Sequence, residues 1–438
     1  MKKQSPDSPQ FVAYVYPGWH NSKYRPEVDE WRFLQDFRPY FDGHLSLPRP
    51  LDGPYDDTRT ETPERQIALA QQHDISVFTY FSYFQPGGFV MSEPVDQALA
   101  AAERSPGFQL SLTLCLRLPH RILPLPLSYS HWRFQDSRAR PISSRLRSDD
   151  VTPSQTSTAA LLELLDGNGH GMGLRGLRLV EERTRRAVEN ERIDANPAEQ
   201  RRPALTIDSI IALFEQWARQ YSENRSYWCI DGRPVCALLN LADFARTYGL
   251  DGFTVLLSLA RGVFRKRLHV NPFLVGVVGE ATLRNADLAT RLPIDAVTGY
   301  GLLPEWSGPP VQQYPELIER RVKEWYFFQE RVAPLPFLPV ACCGWDATVR
   351  GAWAGDLRAV RGFPWRPIVT GVTPELFGEF VARAVRFNQT YHPQMNVVFL
   401  HAWNEWTESA AIEPSDRFGY HFLKAVRAAG WRSNRRYT

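Results

Sequence analysis

Two glutamates three residues apart, Glu405 and Glu408, lie near the C-terminus of this chain. They follow the apolar run 396–400, which is typical of a buried β-strand that gives way to a loop. Keeping two carboxylates together among apolar residues is unfavourable unless they are paired, hydrogen-bonded or protonated. One carboxylic acid of such a pair can protonate a leaving oxygen while its neighbour acts as a base or a nucleophile. The pair therefore indicates acid–base catalysis.

Indole side chains surround these acids, because Trp403 and Trp406 flank Asn404 and Glu405. Sugar rings commonly stack on flat apolar surfaces of this kind, so the segment points to a carbohydrate ligand. The alternative is that the tryptophans belong to the core and the glutamates to a solvated loop. The close packing of charges and indoles in one short segment favours catalysis. A further glutamate, Glu413, lies past the loop and is predicted to be structural.

Composition and charge limit the classes of protein to which this chain can belong. The chain has 438 residues, of which 43% are hydrophobic and 13% aromatic, so it can bury one large core or two smaller ones. The formal net charge of +3 is too weak to indicate a nucleic-acid or anionic-membrane partner. No run of 18 apolar residues could span a bilayer, and the stretch 1–7 lacks the apolar part of a secretory signal.

The five cysteines are odd in number and show neither a CxxC motif nor a Cys/His ligand spacing. This pattern argues against structural zinc and against a disulfide framework. We therefore expect a soluble protein of a reducing, cytoplasmic compartment, with no metal site and no cofactor. Its expected partner is a carbohydrate or glycoconjugate substrate.

Eight β-rich runs, most of them separated by amphipathic helical stretches, fill the chain. They span residues 11–16, 75–83, 108–116, 234–240, 273–278, 296–300, 337–342 and 397–402. Eight such repeats in a chain of this size favour a (β/α)8 TIM-type barrel, as a single domain over residues 1–438, rather than an open doubly wound sheet. No GxGxxG motif follows the first run, which further disfavours a dinucleotide-binding fold.

Barrel enzymes carry out their chemistry at the C-terminal ends of the strands, so each strand end supplies candidate residues. Polar and aromatic residues recur at these positions, and their coincidence over successive strands is more informative than any single one. The predicted catalytic residues are Glu405 and Glu408. The substrate-binding residues predicted at the strand ends are Tyr16, Trp19, His20, Tyr80, Tyr83, Tyr300, Trp345, Asp346, Trp403, Asn404 and Trp406.

A long segment, 128–203, interrupts the repeat between the third and fourth strands. In a barrel this insertion leaves from the catalytic face, so it is predicted to form a lid or a wall of the cleft. Its glycine-rich stretch 167–173 lacks a preceding strand and a following lysine, which favours a flexible linker over a phosphate loop. The arginines Arg183, Arg185 and Arg186 are predicted to form a solvated helix face, with contact to an anionic substrate as the alternative.

The order of the motifs resembles that of the WbsX-like proteins, which are related to family-99 glycoside hydrolases. The segment 403–408, followed by 412–414 and 417–420, is similar to the C-terminal signature of that family. Further similar motifs run through most of the chain, at Tyr16 with His20 and at 41–44, 48–50, 55–56, 227–235, 344–348 and 371–377. The loop motif 41–44 adds His44 to the predicted substrate-binding residues.

The resemblance implies a (β/α)8 barrel that acts on glycosidic linkages without a metal. In the related hydrolases, the position that matches Glu405 is the base that activates the sugar 2-hydroxyl through an anhydro-sugar route. The position that matches Glu408 is the acid/base at the glycosidic oxygen. Many WbsX-like proteins carry a glycosyltransferase label because they accompany polysaccharide biosynthesis.

This chain departs from the family pattern at two strand ends. Related sequences usually carry a W-A-N-E-type motif after the third strand, whereas residues 115–121 contain no Trp, Asn or Glu. Ser82, in the second strand, stands where a histidine is common. The catalytic pair is kept while a substrate-contacting wall differs, so the identity of the sugar stays open.

Three functions remain open. A retaining glycoside hydrolase or transglycosidase agrees best with the acid pair. A glycosyltransferase that uses an activated donor generally needs a Rossmann-like domain, often with alternating aspartates, and neither is evident since the pairs 56–57 and 149–150 are adjacent. A non-catalytic carbohydrate-binding barrel is the third function, but it gives no reason to keep two neighbouring buried acids.

Overall fold

Eight parallel strands close into a barrel, and each strand coincides with one of the predicted β-rich runs. The computed structural model describes residues 9–130, 158–165, 181–182, 203, 205–300 and 303–434. The barrel strands are β1 (Gln10–Val15), β2 (Ile75–Gln85), β3 (Gln109–Cys115), β4 (Arg233–Leu239), β5 (Phe273–Val278), β6 (Ala296–Gly299), β7 (Phe337–Leu338 and Val340–Cys342) and β8 (Val397–His401). The predicted (β/α)8 barrel is confirmed.

The barrel closes through β7, which consists of two short segments on either side of Pro339. The first segment pairs with β6, where Phe337 lies opposite Val297, and the second pairs with β8, where Val340 lies opposite Phe399. Proline has no backbone N–H to donate, so the strand changes partner at the residue where a ladder bond is lost. The Pro339 carbonyl still accepts a hydrogen bond from the Phe399 N–H, at 2.9 Å.

Ten α-helices occur within the described ranges, and most of them connect consecutive parallel strands. They are α1 (Glu30–Gln35), α2 (Glu61–Gln72), α3 (Glu93–Glu103), α4 (Thr158–Leu165), α5 (Ile207–Trp217), α6 (Leu241–Leu268), α7 (Leu283–Thr290), α8 (Tyr314–Val332), α9 (Pro374–Tyr391) and α10 (His421–Asn434). Gly249 interrupts α6 with a φ of 69°, which a residue without a Cβ adopts at no steric cost. No helix in the described part of the chain is long and apolar enough to cross a membrane.

An aromatic layer lies inside the barrel toward the C-terminal ends of the strands. Tyr14 stacks on Phe81 and Phe399, with ring centroids 5.5 and 5.4 Å away. Tyr300 meets Tyr14 and Phe81 edge-on, at 5.7 and 5.3 Å. The Tyr14 hydroxyl donates to the Gly299 carbonyl at 3.1 Å, which ties the layer to β6. Close packing of these rings gives the strand-end residues a rigid floor.

The predicted insertion 128–203 lies mostly outside the described residues, and the stretch 167–173 and the arginines 183–186 lie wholly outside them. Its described helix α4 packs on α6, with Leu161 and Leu164 buried. Gly262 permits this approach, since a Cβ there would lie 2.2 Å from the Leu164 carbonyl oxygen. The prediction that the insertion forms a lid stays a prediction.

Candidate active site

The loop that leaves β8 folds back on itself and brings Glu405 and Glu408 next to one another at the barrel mouth. The Ala402 N–H donates to the Ala410 carbonyl at 2.8 Å, and a 3₁₀ turn, Trp406–Glu408, lies within the loop. The Glu408 N–H donates to the Glu405 carbonyl at 3.1 Å. Only 3% of Glu405 and 5% of Glu408 is exposed. The fold therefore holds two nearly buried acids at the C-terminal end of a barrel strand.

One guanidinium contacts both acids. Arg350, in the loop after β7, donates from Nη1 to Glu408 Oε1 in a very short hydrogen bond. Its Nη2 lies 3.2 Å from Glu405 Oε2, and its Nε donates to Thr407 Oγ1 at 2.8 Å. Sequence reasoning missed Arg350, because a lone arginine outside a motif carries no distinctive pattern. Its place after the seventh strand was the available signal.

A third buried carboxylate, Glu30 from the first turn of α1, joins the acids. Its Oε2 accepts from Thr407 Oγ1 at 2.6 Å and lies 3.2 Å from Arg350 Nη2. Its Oε1 accepts from the Tyr16 hydroxyl at 2.6 Å and from Arg25 Nη1 at 2.7 Å. Neither Glu30 nor Arg25 was among the predicted site residues. We refer to the following five residues as the charge cluster: Arg25, Glu30, Arg350, Glu405 and Glu408.

Full ionisation of the charge cluster would place three carboxylates beside two guanidinium groups in a buried site. Burial opposes the ionised form of Glu30, but Arg350 and Arg25 outweigh it and lower the pKa of Glu30 to about 2. Burial raises the pKa of Glu405 well above its usual range, and the Glu408 charge adds to this rise. Burial also raises the pKa of Glu408, although Arg350 opposes it. These effects favour one proton on the Glu405/Glu408 pair near neutral pH.

Two predicted substrate-binding tyrosines contact the charge cluster. The Tyr300 hydroxyl donates to Glu408 Oε2 at 3.3 Å, and its ring meets His401 edge-on at 4.3 Å. Burial lowers the pKa of His401 to about 3, so this ring is neutral at physiological pH. The Tyr16 ring lies under Arg350, with the guanidinium carbon 5.6 Å from its centroid. Both tyrosines are therefore placed to orient the charged groups.

The other two predicted tyrosines lie on β2 and face different surroundings. Burial raises the pKa of Tyr83 well above its usual range, and the Glu405 charge acts in the same direction. Burial also raises the pKa of Tyr80, with further contributions from Asp57 and Glu413. The Glu405 charge therefore acts on Tyr83, whereas the charges of Asp57 and Glu413 act on Tyr80.

Each predicted histidine is held by an aspartate. His20 Nδ1 lies 2.6 Å from Asp57 Oδ1, while its buried Nε2 has no hydrogen-bond partner among the described residues. His44 Nε2 lies 2.7 Å from Asp346 Oδ2. The Asp346 N–H donates to the Glu408 carbonyl at 2.8 Å. His44 and Asp346 therefore brace the loop that carries Glu408.

The tryptophans predicted to stack on a sugar are buried. Trp403 and Trp406 are fully enclosed, and Trp19 is almost so. Trp403 packs against Phe78 with centroids 4.8 Å apart, and Trp406 Nε1 donates to the Tyr55 hydroxyl at 3.3 Å. None of the three presents an open ring face to a ligand in this structure, so their observed contribution is packing behind the loop.

The last two predicted residues, Trp345 and Asn404, join neighbouring strand ends. The buried Trp345 lies between His401 and Trp306, with centroids 6.2 and 5.4 Å away. The Asn404 side chain accepts from the Tyr16 N–H at 2.8 Å and donates to the Tyr16 carbonyl at 3.0 Å. These contacts fix the loops after β1, β7 and β8 relative to one another.

An ion pair occupies the end of β3, where the sequence lacks the W-A-N-E-type motif. Arg117 donates from Nε and Nη2 to the Asp243 carboxylate, at 2.6 and 2.7 Å. Asp243 lies in the first turn of α6 and also accepts from Asn240 and Arg246, at 2.9 Å each. The end of β3 is thus occupied by charged groups that bind one another.

Two curated relatives, both described as uncharacterized protein WxcX, come from strains of Xanthomonas campestris pv. campestris. Each is 23% identical over 435 residues, a stretch that covers 95% of this chain and 49% of the relative. The chain therefore spans about half the length of the curated relatives it matches.

Two solved structures share the fold. A glycoside hydrolase-like protein has a TM-score of 0.55 at 13% identity, with 97% of this chain and 94% of that chain covered. The GH99 endo-alpha-mannosidase from Bacteroides thetaiotaomicron has a TM-score of 0.50 at 12% identity, with 98% and 99% covered. At such identities the likeness concerns the fold alone.

The model of the family described as Glycosyltransferase WbsX matches residues 11–113 and 294–426, which is more than half of the chain. The matched ranges include every member of the charge cluster. The intervening part, which holds the Arg117–Asp243 ion pair and the insertion, lies outside the match. The chain belongs to the WbsX glycosyltransferase family.

Proposed function

We propose that this chain cleaves or transfers glycosidic linkages with retention of configuration, and that Glu405 and Glu408 are its catalytic acids. The observation that carries the proposal is the shared, buried position of these carboxylates at the end of β8, bridged by Arg350. Membership of the WbsX family and a glycoside-hydrolase-like fold support a carbohydrate substrate. Retaining enzymes need an acid and a base or nucleophile close together.

The family resemblance supplies the first assignment of roles. Glu405 takes the proton of the sugar 2-hydroxyl, and the 2-oxygen attacks the anomeric carbon. The glycosidic oxygen leaves as Glu408 gives its proton to this oxygen. Water or an acceptor hydroxyl then gives its proton to Glu408 and opens the anhydro-sugar, and Glu405 returns a proton to the 2-oxygen. Two inversions leave the configuration retained. Hydrolysis and transfer differ only in the acceptor.

A specific contact favours a second assignment. The first route starts with the proton on Glu408, yet Glu408 accepts hydrogen bonds from both Arg350 and the Tyr300 hydroxyl, and these donors stabilise its ionised form. In the second assignment Glu405 is the acid and Glu408 is the base or nucleophile. The two carboxyls share one titration, so substrate binding can move the proton between them.

Four of the predicted residues fit a role around the reacting sugar. Tyr16, Tyr83 and Tyr300 lie within reach of the charges of the cluster. His20 offers an Nε2 with no hydrogen-bond partner in the described part of the protein, and Asp57 fixes its ring. A sugar hydroxyl would supply the partner that this nitrogen lacks.

The test is a screen of glycans, aryl glycosides and nucleotide sugars with the wild-type protein and Glu408→Gln. We expect turnover of a glycoside, lowered by about 10²-fold or more in Glu408→Gln. The control is Glu280→Gln, which alters an exposed carboxylate after β5 and should match the wild type. Sugar transfer from a nucleotide sugar would favour a donor-dependent transferase. Glycan binding without turnover would favour a non-catalytic barrel and contradict the proposal.

A further inference from the structure

A cavity of about 670 Å³ opens at the barrel mouth beside the charge cluster. Its walls come from three segments that follow β1, β3 and β7, namely residues 27–40, 123–124 and 348–353. The volume falls within the range of about 300–1,000 Å³ that is usual for small-molecule sites. Because all three segments follow strand ends, the cavity opens on the same face of the barrel as the catalytic pair.

The cavity and the charge cluster share one thin wall. Asp29, the N-cap of α1, and Arg32 within the helix line the cavity, while Glu30 between them is buried and contacts Arg350. In the loop after β7, Thr348 and its neighbours line the cavity, while Arg350 points to the acids. A molecule in this cavity would therefore sit directly behind two members of the cluster.

An exposed indole, Trp353, forms the aromatic surface of the cavity. It is 47% exposed, and the Arg38 guanidinium lies 5.4 Å from its ring centroid. The backbone that carries it is fixed, since the Ala352 N–H donates to Leu125 at 2.8 Å and the Ala354 N–H donates to the Tyr40 hydroxyl at 3.2 Å. A large open ring on a rigid segment is suited to stacking rather than to core packing.

The charged groups around the cavity nearly cancel. Glu27, Asp29 and Asp36 supply carboxylates, and Arg32 and Arg38 supply guanidinium groups. Arg32 and Asp36 already lie 3.7 Å apart as an exposed pair. Such walls offer both donors and acceptors without a strong field of one sign. Sugar hydroxyls donate and accept at once, so they match these walls better than a polyanion or a polycation does.

We propose that this cavity is a secondary binding site for a neutral oligosaccharide, with Trp353 as its stacking surface. The proposal rests on the proposed function, since it takes the ligand to be a part of the substrate remote from the cleaved linkage. The carboxylates and guanidinium groups of the walls bind the hydroxyls at the edge of the stacked ring. The charge cluster handles the reacting sugar on the other side of the wall.

The test measures binding by isothermal titration calorimetry in a Glu408→Gln background, so that turnover does not remove the ligand. The probes are short neutral oligosaccharides of mannose, glucose, galactose and rhamnose, together with an oligogalacturonide as an anionic comparison. Trp353→Ala should weaken binding of the best neutral probe by about tenfold or more. Trp353→Phe keeps an aromatic face and should retain most of the affinity.

Trp431→Ala is the matched control. Trp431 is 53% exposed and has the Arg427 guanidinium 5.0 Å from its ring, but it lies on α10 and does not line the cavity. Equal affinity of Trp353→Ala and its parent, or an equal loss in Trp431→Ala, would overturn the proposal, as would binding of the anionic probe alone or of no probe. Trp353-dependent binding by a protein that turns over no glycoside would uphold this site and refute the catalytic proposal instead.

Discussion

Glu30 and Arg350 form a buried ion pair, with Oε2 and Nη2 3.2 Å apart, which ties α1 to the loop after β7. Because Arg350 also contacts Glu405 and Glu408, one guanidinium links the charge of Glu30 to the proposed catalytic pair. With its pKa lowered to about 2, Glu30 is a constant negative charge over the working range of pH. That charge contributes to the raised pKa values of both Glu405 and Glu408.

Replacing this carboxylate, as Glu30→Gln, should move the pH dependence of catalysis. Loss of the Glu30 charge lowers the pKa of the Glu405/Glu408 pair, because the carboxylate that forms when the pair loses its proton no longer faces the repulsion of Glu30. The basic limb of the profile of kcat/KM against pH, where the catalytic acid loses its proton, should shift to lower pH. Glu280→Gln should leave the limb in place. A basic limb at the wild-type position in Glu30→Gln would refute the coupling through Arg350.

Removing the shared cation, as Arg350→Met, should destabilise the fold. Breaking a buried ion pair by deleting one partner costs about 3–5 kcal/mol. Of the carboxylates left behind, Glu405 and Glu408 have folded-state pKa values above their unfolded values, and loss of Arg350 raises these pKa values further. Their contribution to stability is therefore present in acid and is lost as the pH rises through the folded pKa values. Urea unfolding should show a larger loss relative to wild type at about pH 8 than at about pH 5.

The control for this prediction is Arg358→Met. Arg358 pairs with Asp356 at 3.0 Å, but its side chain is 91% exposed, so solvent screens the pair and the variant should be as stable as the wild type. A similar loss in the two variants, or a loss in Arg350→Met that does not grow with pH, would contradict the role given to Arg350.

The two acids should differ in their response to the leaving group. Glu405→Gln and Glu408→Gln each keep the charge balance of a cluster in which the wild-type pair already shares one proton, so the fold should persist while the rate falls by about 10²-fold or more. If Glu408 is the acid, aryl glycosides with good leaving groups should largely restore Glu408→Gln, and Glu405→Gln should stay impaired on every substrate. The opposite pattern would establish the reversed assignment. Equal rescue of both variants would exclude both.

Glu413 should govern stability rather than catalysis. Its buried carboxylate accepts from the Tyr55 hydroxyl at 2.9 Å and from Gln66 Nε2 at 3.1 Å, and burial raises its pKa to about 7. The folded pKa lies above the unfolded value, so stability from this group is present in acid and is lost as the pH rises from about 4.5 to 7. The linkage amounts to about 3 kcal/mol.

Glu413→Gln removes this titration and keeps an amide that can pair with Tyr55 and Gln66. Thermal unfolding across that pH window should show the variant gaining stability relative to the wild type as the pH rises. The kcat of the variant should stay close to that of the wild type. A parallel pH dependence in the two proteins, or a loss of kcat comparable to that of Glu405→Gln, would contradict this assignment.

Local patterns were sufficient to predict the barrel. A short, continuous apolar run rich in valine placed β5 at the observed Phe273–Val278, and the other strands lie within a few residues of the predicted runs. The Glu405/Glu408 pair was visible for the same reason, since both acids and their strand are close together in the sequence. The C-terminal ends of the strands strongly limit where the site can lie, because a closed parallel barrel brings all of them to one face.

The partners of the pair were not visible, because they depend on distant parts of the chain. Glu30 and Arg350 stand outside any motif, and only the closed barrel brings the loops after β1, β7 and β8 together.

The orientation of the Trp403 and Trp406 indoles could not be predicted either. A tryptophan near a strand end can face the ligand or the core, and here the Ala402–Ala410 hydrogen bond folds the loop so that both point inward.

The position of the ion pair between Arg117 and Asp243 bears on the proposed function. It lies at the end of β3 and the start of α6, whereas Glu405 and Glu408 follow β8, so the ion pair and the two acids belong to different strand ends. Arg117 donates to both carboxylate oxygens of Asp243, so these atoms have hydrogen-bond partners without a ligand and without the loop after β8. Under the proposed function, substitutions at the end of β3 should therefore change substrate contacts and leave the Arg350-bridged acids after β8 in place.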